Sequence, residues 1–322
     1  MADITVPEIL RVNLAQVVLQ LKGMGIHDPR TFDFLTPPSL ASLVKAFELL
    51  YALGALDSKM NLSESGRKMA KLPVDPTFAN FLLSSPKYGC TSEAISIVAM
   101  LSTENIFYST SSAVSKAADA HRRFKSYEGD IPTLLSVFQS WRNEALYIPA
   151  KHSQLHHLKK QHKLGGGNKM MHGDWCTKNF INGRAMVRAL DIRNQLEEIG
   201  SRSIEKNGLG WDVGASCGSE LQQLLKCVAA GLFLQVATRV PLSIESGSKK
   251  QNSTPGGKYK IKIGGQLVSV HPTSAMFGRN PAPKCIVFTE LLVTKRIYIR
   301  GVTQIKEDWL QEVAPHLFAQ AS

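Results

Sequence analysis

KYKIKIGGQLVSVHP, residues Lys258–Pro272, alternates lysine with tyrosine and isoleucine over its first six positions, so a strand there turns one cationic face and one apolar face. Working outward, LFLQVATRV (Leu232–Val240) precedes it, and CIVFTELLVT (Cys285–Thr294) and RIYIRGVTQI (Arg296–Ile305) follow. All are β-rich runs parted by Gly, Pro and Ser clusters. Four or five short strands after a long helical body predict a small C-terminal β-barrel. An OB-like barrel is the form that commonly holds single strands.

Charge gathers in the same place. The chain of 322 residues has 38 Lys and Arg against 26 Asp and Glu, a formal net charge of +12. With cuts after Lys71 and Val236, the three segments carry 8 basic and 7 acidic, 18 and 14, and 12 and 5 residues, so the last and β-rich segment holds +7 of the excess. Between Glu245 and Glu290 there is no acid, but Lys249, Lys250, Lys258, Lys260, Lys262, Arg279 and Lys284 are present. A solvated face normally mixes signs, so this one-signed run favours a phosphate-binding surface, with a solvated basic surface as the plainer reading.

Upstream, the periodicity is helical. PEIL predicts a helix with Pro7 near its first position and a stripe of Leu10, Leu14, Val17, Val18 and Leu21, ended by Gly23 or Gly25. TPPS opens a second helix with Leu40, Leu43, Val44, Phe47 and Tyr51 at helical spacing, stopped by Gly54. Asp57–Leu62 reads as a short turn or wing, and Ser63 as the N-cap of a third helix. Three small helices with a wing predict a winged helix over 1–71, a generic helical subdomain being the other reading. Residues 72–236 read as a helical block, with Leu82, Ile95, Val98, Leu101, Leu134, Val137, Phe138, Trp141, Phe180, Val187, Leu190 and Leu196 at helix-like intervals. Residues 237–322 complete the chain as the β-domain, so the fold class is multi-domain, mainly α with a C-terminal β-barrel.

Two stretches predict surface loops: Ala145–Gly173, with five His, five Lys and no acid, and Ser246–Gly257. His152, His156, His157, His162 and His172 have no carboxylate or thiolate partner in their stretch, so a basic loop is expected there and no metal site. Cysteines 90, 176, 217, 227 and 285 form no CxxC and imply free thiols in a reducing compartment. No apolar run reaches about 18 residues, so no membrane span is expected. MADITVPEIL lacks the basic and apolar regions of a secretory leader.

The chemistry of an enzyme is missing from the pattern. GxxxxGK[ST], GxSxG, HExxH and GxGxxG do not occur, and GGGNK has neither the phosphate-loop spacing nor a strand before it. No catalytic residue, cofactor or metal is therefore assigned, and this chain alone is not expected to be an enzyme.

RVNLAQVVLQLKGMGI, ELLYALGALD, GRKMAKLPVDP, GCTSEAISIVAMLS, EGD, WCTKNFINGRAMVRALDIRNQL, SVHPTS and YIRGVT, in that order, resemble the C-terminal half of a DEAH-box RNA helicase of the spliceosome-associated type. The resemblance covers nearly the whole chain. It implies a winged helix (1–71), a helical ratchet or helicase-associated domain (72–236) and an OB fold (237–322). It also implies that two RecA-like domains precede residue 1 in a longer parent and hydrolyse ATP there with Mg2+.

The same resemblance implies RNA contacts at Ser102, Thr103 and Asn105, where the MLS helix ends, and at Lys295, Arg296, Tyr298 and Arg300 in the OB fold. Ser102 as a simple helix cap is an equal reading. The expected partners are single-stranded RNA, the parent's own RecA-like domains, a G-patch activator at the winged helix and spliceosomal proteins, with no membrane, in the nucleus. The sequence departs from the family pattern at Cys285, at Gly129-Asp130-Ile131 where the family has GDH, and in the His-rich stretch before WC. His271 is expected to be mainly structural. Two rivals remain: a protein-interaction scaffold without nucleic-acid binding, and a winged-helix DNA-binding factor. The few base-reading side chains, Ser39, Ser42 and Lys45, count against the latter.

Overall fold

Three helix starts follow side-chain caps. Ser39 Oγ accepts the Ser42 N–H at 3.1 Å, Ser63 Oγ accepts the Gly66 N–H at 2.9 Å, and Asp75 Oδ1 accepts the Thr77 N–H at 2.8 Å with Pro76 at the first helical position. The computed structural model describes residues 7–10, 13–146, 166–203, 208–241 and 257–318. Its helices are α1 (Ala15–Gly23), α2 (Leu40–Ala52), α3 (Glu64–Ala70), α4 (Pro76–Ser84), α5 (Thr91–Leu101), α6 (Val114–Arg122), α7 (Asp130–Leu146), α8 (Gly166–Asn179), α9 (Gly183–Ser201) and α10 (Leu221–Gly231), with α11 (Trp309–Val313) and α12 (Pro315–Phe318) at the end. The strands are β1 (Val236–Arg239), β2 (Lys258–Ile261), β3 (Leu267–Val270), β4 (Cys285–Val287), β5 (Glu290–Val293), β6 (Ile297–Arg300) and β7 (Thr303–Ile305). The chain divides into two compact units: Met1–Ala94 with Leu196–Leu234 and Asp308–Ser322, and Ile95–Gln195 with Gln235–Glu307.

In the first unit, α1, α2 and α3 pack together, and the wing between α2 and α3 is closed by an antiparallel bridge, Leu56 to Leu62. Asp57 Oδ1 accepts the N–H groups of Lys59 and Asn61, both at 2.8 Å, which makes the tight turn. Farther on, α10 lies on α4. A Cβ added at Gly231 would sit 2.4 Å from the Phe81 Cβ, so this approach is open only to glycine.

The first-unit expectations differ in two places. Pro7 begins no full helix: a 3-10 turn covers Glu8–Leu10, and α1 starts at Ala15 behind Asn13, whose Oδ1 accepts the Ala15 N–H. In α2 the buried face is Leu43, Ala46 and Leu50, while Leu40, Val44 and Tyr51 are exposed. Apolar side chains stand on both sides of the helix, so spacing alone did not pick the inner one.

The second unit joins helices to a sheet. Val137, Phe138 and Trp141 of α7 bury against Cys176 of α8 and Ala185, Met186 and Ala189 of α9, with Met100 and Ile106 closing the cluster. The sheet runs β5-β6-β3-β2-β1-β4-β7, antiparallel except for the β3–β6 pair. β5 and β7 stand at opposite ends, so among the described residues the barrel is left open. Inward residues Tyr259, Ile261, Val268, Val270, Ile286 and Ile299 form its core. The Tyr259 hydroxyl donates to Pro283 O at 2.9 Å, which satisfies its one polar atom, and burial pushes its pKa up to about 12.

Within the predicted loop 145–173, α7 continues to Leu146 and α8 begins at Gly166, so Gly166 and Gly167 lie at a helix start. The histidines 152, 156, 157 and 162 and residues 246–256 of the second predicted loop lie outside the described residues. All five cysteines are free, and all but Cys217 are buried. Among the described residues no helix is long and apolar enough to cross a membrane, and no three His, Cys, Asp or Glu side chains are grouped to hold a metal ion.

Candidate nucleic-acid interface

The first candidate strip is the end of α5. The Ser102 N–H still donates to Val98 O at 2.9 Å, and its side chain is exposed. The Thr103 hydroxyl donates to Met100 O at 2.9 Å, so it caps the helix and keeps only acceptor capacity for a ligand. Asn105 Oδ1 accepts the Phe107 N–H at 3.1 Å, which leaves its amide NH2 as an exposed donor. Glu104 sits among them and accepts from Asn182 Nδ2 at 3.3 Å. A helix C-terminus carries partial negative charge, so this strip suits sugar hydroxyls and base edges better than phosphates.

The second strip is the β5–β6 hairpin at the sheet edge. Its turn is closed by the Thr294 N–H donating to Arg296 O at 3.0 Å and the Thr294 hydroxyl donating to the same oxygen at 2.7 Å. That turn holds Lys295 and Arg296 exposed at the tip. Strand alternation then puts Ile299 in the core and Tyr298 and Arg300 on the outer face. The Tyr298 and His271 rings form a T-shaped pair with centroids 5.5 Å apart and planes at 83°, and Arg300 lies 3.8 Å from Glu290 with its Nε buried and lacking a hydrogen bond. His271 Nδ1 pairs with the Thr273 hydroxyl at 2.8 Å. Burial, with Arg300 nearby, holds the His271 pKa below the usual imidazole value, so the ring is a neutral support for Tyr298 at pH 7.

Sheet register extends this face beyond the residues picked from the sequence. Lys258 is opposite Ser269, and Ser269 is opposite Tyr298, so all three share one side of the sheet, with Lys258 exposed, Tyr298 half-buried and Ser269 buried between them. Lys260 stands on the same side, and Lys258 and Lys260 are both exposed. The period-2 pattern of KYKIKI carried this signal. What it lacked was the strand order that sets β2 two strands from β6.

Both strips belong to the second unit. Among the described residues, several hydrogen bonds between its helices and sheet run through the turn before α7 and the first residues of α7. The Asp130 N–H donates to Val302 O at 2.8 Å, Ile131 N–H to Thr303 Oγ1 at 3.1 Å, and Gln304 N–H to Glu128 O at 2.8 Å. The Asp130 carboxylate accepts Ala275 N–H at 2.6 Å and Val302 N–H at 2.7 Å. Burial raises its pKa above the ordinary carboxyl value, against the Ser274 hydroxyl and the two N–H groups, which pull it down. Gly129 makes the joint geometrically possible: its φ is +126°, and a Cβ there would lie 2.3 Å from Val302 O. The sequence marks this joint only as the short EGD run.

Comparison with known proteins agrees with this architecture. Residues 46–74 match the family model of the helicase-associated domain's winged helix, residues 75–134 that of its ratchet-like part, and residues 224–317 that of the oligonucleotide/oligosaccharide-binding fold. The chain is 34% identical over 323 residues to the pre-mRNA-splicing factor ATP-dependent RNA helicase DEAH10 of Arabidopsis thaliana, covering 99% of this chain and 40% of that protein. It is 33% identical over 320 residues to the probable ATP-dependent RNA helicase DHX35 of Pongo abelii (99% and 38%). It is 34% identical over 317 residues to the human ATP-dependent RNA helicase DHX33 (98% and 38%). The chain thus spans 38–40% of the length of these curated relatives. With the three domain models in this order and such identity along nearly its whole length, the chain belongs to the DEAH-box RNA helicases, as their winged-helix, ratchet and OB-fold part.

Proposed function

We propose that this chain grips single-stranded RNA and docks an activator within an ATP-dependent helicase active in pre-mRNA splicing in the nucleus. The observation that carries the RNA reading is the outer sheet face, where Lys258, Lys260, Tyr298 and Arg300 share one side and Lys295 and Arg296 crown its edge. Cations there hold phosphates and the tyrosine offers a π-face, a pairing that binds strands with little sequence preference. Ser102, Thr103 and Asn105 contribute neutral contacts to 2′-hydroxyls or bases. In this reading the domains are 1–71, 72–236 and 237–322. RecA-like domains of the parent, with ATP and Mg2+, drive strand movement, and this chain by itself hydrolyses nothing. The exposed Leu40, Val44 and Tyr51 of α2 offer an apolar face to the amphipathic helix of a G-patch activator, and spliceosomal proteins surround the assembly. The splicing and nuclear context is taken from the name of the Arabidopsis relative.

A groove-reading DNA factor fits α2 poorly, since the Ser39 and Ser42 hydroxyls bond each other at 2.8 Å in the helix cap. Fluorescence anisotropy with homopolymer RNA, duplex DNA and several salt concentrations tests the reading. Single-stranded RNA should bind, weakening steeply with salt. The double variant Lys295→Ala, Arg296→Ala should lower the slope of log K against log salt by about 0.7 for each phosphate it no longer neutralises. Preference for duplex DNA would establish the groove reader, and no affinity for any polynucleotide would establish the scaffold.

A further inference from the structure

Tyr127 is an aromatic side chain that the RNA reading does not use. It lies at the corner of a four-residue turn, Ser126 to Gly129, closed by the Gly129 N–H to Ser126 O at 3.3 Å. An exposed tyrosine on a surface turn ordinarily samples several rotamers. This one is held from one side only. The Arg279 guanidinium stacks on the ring with its carbon 3.4 Å from the ring centroid, and Arg279 Nη1 also donates to the Tyr127 carbonyl. Both ends of the turn are fixed as well: Ser126 N–H donates to Thr133 Oγ1 at 2.9 Å, and Gly129 pairs with Thr303 of β7. The residue is nevertheless 68% exposed.

The charges around it favour a polyanion. Arg279 covers one ring face, and Arg123 and Lys125 are exposed on the approach to the turn. The one acid in the turn, Glu128, has its carboxylate engaged by the Ser126 hydroxyl at 2.5 Å. A cation already seated on one face, an open opposite face and a rigid mount form a stacking platform whose ordering cost is met on folding.

We propose that the open face of Tyr127 stacks an unpaired nucleobase of the bound RNA, as a site additional to the hairpin and the α5 end. The inference rests on the RNA reading above and adds a base contact to its phosphate contacts. Arg279 is the positioning residue, acting through the tyrosine.

The test compares a uridine oligonucleotide with its abasic counterpart, which keeps the phosphates and loses the bases. Wild type, Tyr127→Phe and Tyr127→Leu are measured on both at several salt concentrations, and an oligonucleotide carrying 5-iodouridine is photocrosslinked and the adduct mapped by mass spectrometry. Tyr127→Leu should weaken the uridine oligonucleotide by about fivefold to about a hundredfold, the worth of one stacked base. It should leave the abasic strand and the salt slope unchanged, Tyr127→Phe should bind as wild type, and the crosslink should fall on Tyr127. Equal weakening on both strands would show a merely structural turn and overturn the inference. Wild-type binding with no effect of Tyr127→Leu would overturn it while leaving the RNA reading intact. No binding by wild type to either strand would overturn both.

Discussion

Substituting Gly129 by alanine adds one methyl group where the helices meet the sheet. Two costs arise. The backbone at φ +126° is a region that residues with a Cβ enter only under strain, about 1–3 kcal/mol. The new Cβ would also lie 2.3 Å from Val302 O and 2.7 Å from Thr303 Cα, both main-chain atoms that cannot swing aside as a side-chain tip would. Relief requires the turn and β7 to part by roughly an ångström, since ordinary contact lies beyond about 3.4 Å. That parting breaks or stretches the Asp130 N–H to Val302 O and Gln304 N–H to Glu128 O bonds, both 2.8 Å, at about 0.5–1.5 kcal/mol each. Together the joint should lose about 2–6 kcal/mol. Because the chain has two compact units, a single unfolding midpoint can hide a local loss. Native-state hydrogen exchange is the sharper assay, and the amides of Asp130 and Gln304 should exchange at least tenfold faster in the variant, with a lower urea midpoint. If both amides stay protected and the midpoint is unchanged, the close approach at Gly129 is not what holds the helices to the sheet.

Three further outcomes follow from titratable groups. Asp130 has a raised carboxyl pKa, so the native chain keeps a proton that the unfolded chain has released; stability should fall as pH rises from the ordinary carboxyl value, 3.8, through the raised one, and Asp130→Asn should abolish that component in urea melts across pH. An Asp130 titration midpoint at or below 3.8 by carbon NMR would contradict it. Asp28, hydrogen-bonded by Arg30 through side chain and backbone, should titrate at about 2, and Arg30→Gln should return it toward the ordinary range, read by the same method. Burial pushes the thiols of Cys176 and Cys217 up to about 11 and that of Cys285 up to about 12, so iodoacetamide at pH 8 should label native protein slowly and all five cysteines rapidly in guanidinium; fast native labelling of Cys285 would count against the packing of β4.

Much of the architecture was legible because it rests on local signals. Ser39, Ser63 and the Asp75-Pro76 pair announce helix starts through caps that need no tertiary partner. KYKIKI announces a two-faced strand through its period, and Tyr259 and Ile261 are indeed its buried members. What stayed hidden depends on distant partners. Nothing in TPPSLASLV says that Leu40 and Val44 face solvent while Leu43 packs, since that choice is made by the packing of α2 on α1. Likewise the hairpin cations could be named from Thr294 to Arg300, but their alignment with Lys258 requires the parallel β3–β6 pairing across 26 intervening residues, 271–296. Tyr127 and Arg279, 152 positions apart, carry no sequence sign of their stack.

The last strand of the sheet, Thr303–Ile305, is paired with β4 on one side and sealed on the other by Glu128 and Gly129. That seal comes from a segment more than a hundred positions upstream. Excising the β-rich third at residue 237 would strip it away and leave a bare ladder of amides and carbonyls. Such a fragment invites strand-to-strand self-association, whereas one that begins before Ser126 carries its own cover.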